Sequence, residues 1–327
     1  MRVGILGTGD MGQAHARTFS SIPGVEIAAV VGRDSARTQQ VASQFGTRGL
    51  TDPWALLDDD AVDAIDVTYP SGLHRQWTVA ALERNKHVLC ETPMALTLED
   101  ADAMIAASRR YAKILMPAQV QRFGVEAAFI HREVTSGKMG RPLSAYASSR
   151  SPAYGAGTTR SLDLHGGPML DLMIHPIDTL NWFLGMPVKV AGSGRVGRSG
   201  AIECAFVALD YGTSCGMAEG SALMPDGYPF CIEIRVTCED GAMDALLRLG
   251  PTEEIQLVRY PARGEPEPIE LEGEDPYTGE CRYFVDAVRR DVDPSVVSPE
   301  GERDALAVAL AAERAIQQGE VTRLGTA

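Results

Sequence analysis

The apolar positions of this chain follow two different rhythms. Over the first 120 residues, short apolar runs alternate with amphipathic stretches of helical period. Val3 to Leu6 has the length and make-up of a buried parallel strand. Val25–Val31, Ala64–Thr68, His87–Cys90 and Ile114–Val120 read as further strands. Met11–Phe19, Ser35–Phe45, Leu73–Arg84 and a stretch from Thr97 or Leu98 to Tyr111 read as helices between them. Glu99 and Asp100 stand in the first turn of the last helix, where negative charge offsets the helix dipole. Strand and helix in alternation require a parallel sheet with right-handed crossovers.

Beyond residue 120 the rhythm changes. Phe123–Ser136 and Pro168–Leu184 each read as one helix, and from Val188 to about Ile269 the period is that of strands. Those strands are Ile202–Leu209, Ser214–Glu219, Phe230–Thr237, Ala242–Leu247 and Ile255–Arg259. Phe230, Ile232, Ile234 and Val236 point one way while Glu233 and Arg235 point the other, as in an antiparallel sheet with one face on a core. Pro261–Pro268 is a polar loop, and the helices Gly279–Arg290 and Pro299–Gln318 finish the chain. The predicted fold class is α/β: an N-terminal doubly wound Rossmann domain over residues 1–120, then a C-terminal α+β domain over 121–327. The second domain carries an open, mainly antiparallel sheet and is assigned to substrate binding and self-association.

The first strand runs straight into Gly7-Thr8-Gly9-Asp10-Met11-Gly12. Strand, glycine turn and helix in that order form a dinucleotide-binding fingerprint. Gly7 permits the tight turn, Gly9 removes the side chain that would block a pyrophosphate, and Gly12 lets helix and strand pack closely. The helix start presents free N–H groups and the positive end of a dipole to phosphate. A second match, Gly192-Ser193-Gly194-Arg195-Val196-Gly197, has no amphipathic helix after it and reads as a turn or bulge. Ligands of such sheets sit beyond the carboxyl ends of the strands, here Gly7–Gly12, Gly32–Ser35, Tyr69–His74 and Glu91–Met94, with the second domain supplying the far wall. The second strand ends Val31-Gly32-Arg33-Asp34, with no acid at the position that usually holds the ribose hydroxyls of NAD. Arg33 beside Gly32 favours the 2′-phosphate of NADP over NAD. The competing reading has Arg33 stacking on adenine and Asp34 capping the next helix.

A second dense segment is His165-Gly166-Gly167-Pro168-Met169-Leu170-Asp171-Leu172-Met173-Ile174-His175. Pro168 suits a first helical position, which makes Asp171 and His175 neighbours at i,i+4 on one face. His175 is then a candidate acid/base for a substrate hydroxyl, with Asp171 orienting it or binding substrate. The bland reading is a hydrogen-bonded core histidine and a capping aspartate. The spacing of His165, Asp171 and His175 matches no familiar metal site, and no metal is expected.

A net charge of −14 without any basic stripe argues against nucleic acid as a partner. No apolar run approaches the roughly 18 residues of a membrane helix. A strand beginning at Arg2 leaves no room for a signal peptide. The six cysteines lack CxxC spacing and mostly lie in apolar runs, as reduced cysteines of a cytoplasmic protein do.

Taken together, the chain resembles the Gfo/Idh/MocA family, named for glucose–fructose oxidoreductase and inositol dehydrogenases. The resemblance rests on the N-terminal fingerprint, Tyr69-Pro70-Ser71-Gly72-Leu73-His74, Cys90-Glu91-Thr92-Pro93, Gln121-Arg122-Phe123, the Gly-Gly-x-x-x-Asp-x-x-x-His run and Phe284-Val285-Asp286-Ala287. It implies NAD(P)-dependent oxidation or reduction at a sugar, cyclitol or related hydroxyl. It implies cofactor contacts at Tyr69, Pro70, His74, Glu91, Thr92, Pro93 and Gln121, and substrate contacts at Thr92, Arg122, His165, Asp171 and His175. A homodimer or homotetramer formed through the C-terminal sheet is implied as well. One position departs from the pattern: the family's Glu-Lys-Pro is here Glu91-Thr92-Pro93, and Pro93 is expected to be cis as in relatives. Thr92 can hydrogen-bond but carries no charge. Lys113 and Lys138 are the nearest lysines that follow it in sequence, and both read as solvated side chains. The lost lysine leaves two other readings open, a lyase, isomerase or glycosidase using bound nicotinamide transiently, and a non-catalytic nucleotide-dependent sensor.

Overall fold

The computed structural model describes residues 1–152, 162–250 and 253–325. In chain order the elements of the first half are β1 (Arg2–Leu6), α1 (Asp10–Ser21), β2 (Glu26–Val31), α2 (Ser35–Gln44), β3 (Arg48–Leu50), α3 (Pro53–Leu57), β4 (Ala64–Val67), α4 (His74–Glu83), β5 (His87–Glu91), α5 (Leu98–Tyr111), β6 (Leu115–Ala118) and α6 (Val125–Thr135). There follow β7 (Pro142–Pro152), α7 (Leu162–His165), α8 (Gly167–Asp171), α9 (Ile174–Leu184), β8 (Lys189–Val196), β9 (Ile202–Asp210), β10 (Cys215–Met224), β11 (Phe230–Cys238), β12 (Gly241–Leu249), β13 (Glu254–Pro261) and β14 (Glu267–Pro268). The chain ends with α10 (Pro276–Arg290), α11 (Pro299–Gln318) and β15 (Thr322–Arg323).

The chain forms two compact units, Met1–Phe123 with Glu274–Arg303, and Gly124–Gly273 with Asp304–Ala327. The sheet of the first unit has the order β3-β2-β1-β4-β5-β6, and its pairs are parallel. This is the doubly wound order, with its reversal between β1 and β4. Capping side chains set the helix starts. Asp34 accepts from the Arg37 N–H at 2.8 Å, Thr97 from Asp100 at 3.1 Å, and Asp275 from Thr278 at 2.9 Å with Pro276 behind it. The short β3 and α3 escape the apolar pattern, since Arg48–Leu50 is too brief for a period to show.

Glu274–Arg303 returns to the first unit, although its place in the sequence puts it with the second domain. The cause is apolar burial. Cys281, Phe284, Val285 and Ala287 on one face of α10 share a core with Val3, Ile5, Phe19 and Met116. Phe284 and Phe19 are both fully buried.

The second unit holds a nine-stranded sheet of order β14-β13-β12-β11-β7-β10-β9-β8-β15. Among the described residues, β7 and β10 are parallel and the other pairs antiparallel. Its centre is β7, eleven residues of Pro142-Leu-Ser-Ala-Tyr-Ala-Ser-Ser-Arg-Ser-Pro that the hydrophobic pattern does not reveal. Small and hydroxylated side chains there let α9 pack close against the sheet. The Gly192–Gly197 match lies in β8 and its end, where the register shifts at Arg195/Val196, so of the expected turn or bulge it is a strand with a bulge-like irregularity. Phe284→Ala should cost about 3–5 kcal/mol of stability, seen as a fall in the denaturation midpoint. A loss under about 1 kcal/mol would mean that α10 does not complete this core.

Candidate active site

Three of the four glycines around the β1–α1 turn have no room for a side chain. Gly7 has a φ of +147°, and a Cβ there would run into the Thr68 hydroxyl. A Cβ at Gly12 would strike the Gly7 carbonyl. At Gly32 it would meet the hydroxyls of Thr38 at 2.5 Å and Thr8 at 2.6 Å, so the second strand cannot end in an acid. Gly9 differs, since no described atom lies within 4 Å of a Cβ built there. Packing therefore fixes Gly7, Gly12 and Gly32, while the bareness of Gly9 is left for something outside the protein. Asp10 and Met11 form the first turn of α1, and Gly9 is its N-cap without any side-chain cap, so the leading N–H groups lack one. This arrangement fits a dinucleotide phosphate.

Other side chains gather at the same sheet end. The Thr8 carbonyl accepts from Gln13 Nε2 at 3.2 Å and from Arg37 Nε at 3.1 Å, two residues that sequence reasoning passed over. Arg33 is exposed just beyond β2, and Asp34 caps α2, the part of the competing reading that concerns the helix start. Burial pushes the Tyr69 hydroxyl up to about 12 against the pull of the nearby Arg33 guanidinium, so the phenol stays neutral. His74 ties two turns together: its Nδ1 lies 3.0 Å from the Pro93 carbonyl and its Nε2 2.6 Å from the Tyr69 carbonyl. Burial holds its imidazole below the usual histidine range. Tyr69, Pro70, His74, Glu91, Thr92 and Pro93 thus belong to one connected pair of turns, and the Thr92–Pro93 peptide is cis.

Beneath the Glu91–Pro93 turn lies a cluster that the sequence reading did not single out. His15 on α1 is completely buried, its Nδ1 3.0 Å from Asp66 on β4 and its Nε2 3.1 Å from Glu91. Glu280 on α10 approaches to 3.9 Å. The Glu91 carboxylate also accepts from the Thr92 N–H at 3.1 Å. Desolvation works against a charged His15, but Asp66 and Glu91 outweigh it and hold the imidazole well above its usual range. One signal for this cluster was available: Asp66 is a charged residue inside the apolar run Ala64–Val67.

Gln121 and Arg122 sit in a 3-10 turn after β6. Arg122 is nearly buried and donates Nη1 to the Val296 carbonyl at 2.7 Å, so part of its guanidinium has a structural task. Lys113 lies before β6, at the opposite end of the sheet from Glu91, and Lys138 is exposed beyond α6.

In the second unit the expected single helix over Pro168–Leu184 is broken. Gly166 and Gly167, both left-handed, turn the chain after His165. Asp171 is the last residue of α8, and His175 is the second residue of α9. Pro176 explains the interruption at Leu172–Met173: it has no N–H for the Leu172 carbonyl, and its ring crowds that carbonyl. The Met173 N–H bonds back to Pro168 instead, at 3.0 Å. Asp171 and His175 are therefore not i,i+4 neighbours on one regular helix. All three of His165, Asp171 and His175 are partly buried. Gly220 on β10 leaves space for the Met173 side chain, which seats this junction on the sheet.

Two sequence profiles cover most of the chain. An oxidoreductase family with an NAD-binding Rossmann fold matches residues 1–119, and the GFO/IDH/MocA C-terminal domain matches residues 128–244. The chain belongs to the Gfo/Idh/MocA family. It is accordingly an NAD(P)-dependent oxidoreductase. Scyllo-inositol 2-dehydrogenase (NAD(+)) of Bacillus subtilis is 24% identical over 99% of this chain and 96% of its own length. D-xylose 1-dehydrogenase (NADP(+)) 2 of Haloferax volcanii is 29% identical over 90% of this chain and 91% of its own. The solved structure of aldose-aldose oxidoreductase from Caulobacter crescentus shares the fold, with a TM-score of 0.89 and 21% identity over 99% of each chain. Gfo/Idh/MocA relatives of this kind lend no support to the lyase, glycosidase or sensor readings.

Gly9→Val should leave the fold intact, because its Cβ enters open space, and should abolish nucleotide binding in calorimetry. Gly12→Ala should instead lower the melting temperature. Equal nucleotide affinity in Gly9→Val would remove the phosphate from this turn.

Proposed function

We propose that the protein transfers a hydride between NADP and a CH–OH carbon of a sugar, cyclitol or related small polar molecule. The observation that carries this reading is the bare space at Gly9 between two sterically fixed glycines. The nucleotide, when bound, supplies the hydride donor or acceptor. The chain supplies everything else. Thr8, Gly9, Asp10 and Met11 with the α1 N-terminus hold the phosphates. Gly32 leaves no space for a carboxylate that would repel a 2′-phosphate, Arg33 follows it as an exposed cation, and Arg37 donates to the Thr8 carbonyl of the glycine turn. Tyr69, Pro70, His74, Glu91, Thr92, Pro93 and Gln121 shape the remainder of the cofactor site. His175 takes the hydroxyl proton during oxidation and returns it during reduction. Asp171, His165, Arg122 and Thr92 bind and orient the substrate. Inositol and sugar dehydrogenases among the relatives support this substrate class.

We assign self-association to the solvent face of the nine-stranded sheet, which presents Phe206, Met217 and Tyr260 at 49%, 41% and 40% exposure. Six unpaired cysteines suit a reducing cytoplasm. Among the described residues, no helix is long and apolar enough to cross a membrane.

A panel of polyols, sugars and sugar acids, followed by the absorbance of reduced nicotinamide, identifies the substrate. On that substrate, His175→Asn should lower turnover roughly 100- to 10,000-fold, and unchanged turnover would remove His175 from proton transfer. Arg33→Ala should weaken NADP roughly tenfold more than NAD. Equal losses for both nucleotides would show that Arg33 does not touch the 2′-phosphate.

A further inference from the structure

The cluster under the Glu91–Pro93 turn is unusual in its charge count. Three carboxyl groups, Asp66, Glu91 and Glu280, surround one imidazole, and among the described residues none of them pairs with a lysine or arginine. Asp66, Glu280 and His15 are fully buried. Both oxygens of Glu280 lack a hydrogen-bond partner among the described residues, and so do His15 Nε2 and the Glu91 oxygen 3.1 Å from it, whose contact is an ion pair without hydrogen-bond geometry. Two ionised carboxylates flanking the ring demand protons on both of its nitrogens. A third ionised carboxylate would face no compensating charge, so Glu280 is the member that stays protonated. Burial and the neighbouring Glu91 and Asp66 push it the same way, well above the usual carboxyl range, with His15 alone opposing. The other titratable groups around the cluster are Cys90, Tyr277, Cys281, His74 and Glu302. Burial pushes both thiols and the Tyr277 hydroxyl up, so they stay neutral, and Glu302 adds only negative charge.

The geometry also has a direction. Asp66 holds Nδ1 of His15, Nε2 meets one oxygen of Glu91 as an ion pair, and the other oxygen receives the Thr92 N–H. We propose that His15, as a buried imidazolium, is a positioning residue that fixes the Glu91–Thr92 turn for the cofactor, and that Glu280 holds the proton this arrangement needs. The inference rests on the nucleotide site proposed above. In this chain, where Thr92 provides no cation, the charge that steadies Glu91 comes from below the turn. As pH rises through the folded-state value of Glu280, its ionisation puts a second uncompensated anion beside Glu91. Between the ordinary value of an unfolded glutamate and the raised folded-state value of Glu280, the folded state holds more protons than the unfolded one, so stability falls with rising pH across that window and levels off above it, and the turn loosens as Glu280 ionises.

The test uses the full chain and two readouts. Nitrogen NMR of the ligand-free protein at pH 7 should show both His15 ring nitrogens protonated. NADP affinity measured by calorimetry from pH 6 to pH 10 should fall on the alkaline side by roughly tenfold or more. Glu280→Gln imitates the neutral acid, so it should match wild type at pH 7 within about twofold and lose the alkaline fall. Its melting temperature should drop less than that of wild type between pH 7 and pH 10. His15→Gln, which cannot bridge two carboxylates, should raise the nucleotide KM more than it lowers kcat. A neutral His15, an affinity that is flat to pH 10, or an alkaline fall that persists in Glu280→Gln would each overturn the proposal. Absence of any nucleotide binding by the wild type would instead overturn the functional reading. In that case, the NMR and melting measurements still decide the state of the cluster.

Discussion

Close packing at the β1–α1 turn governs much of the first unit. The Thr68 hydroxyl against Gly7, the Gly7 carbonyl against Gly12, and the two threonine hydroxyls against Gly32 bring β1, β2 and β4 together at one point. Each contact excludes a side chain, whereas a Cβ at Gly9 would meet no described atom within 4 Å. The same packing removes the usual acid from the end of β2 and so bears on which nucleotide the protein prefers.

Sequence made the first sheet legible because its strands are continuous apolar runs and its turn carries three glycines at fixed spacing. It also located Glu91–Pro93 and the Asp171–His175 segment. Besides the short β3 and α3 and the return of α10 to the first unit, other features escaped it for physical reasons. The central strand β7 is built of small polar residues, since a close-lying helix selects for size more than for hydrophobicity. The break between α8 and α9 follows from Pro176 acting four residues upstream on Leu172, an effect that a helical count through the segment does not register. The His15 cluster joins residues 15, 66, 91 and 280, a spacing that carries no local signal apart from Asp66 within its apolar strand.

The cluster also changes how Thr92 is understood. A lysine-free turn suggests a weakened site when only positions 91–93 are considered. The structure places a charged pair directly underneath, and the Thr92 backbone, which any residue shares, makes the connection to Glu91. The side chain at 92 is then released from holding the turn. Burying such a pair is costly on its own, and its hydrogen bonds to Asp66 and Thr92 offset part of the desolvation.

The first unit is assembled from two stretches of chain with most of the second unit between them. During synthesis, β1 to β6 leave the ribosome long before α10 exists. Until then Val3, Ile5 and Phe19 lack the surface that Phe284 and Val285 cover. The nucleotide domain therefore waits, unfinished and apolar, while the chain passes Gly273. For a chain of this design the cofactor domain becomes a domain only once α10 has been made, and chaperones have that interval in which to act.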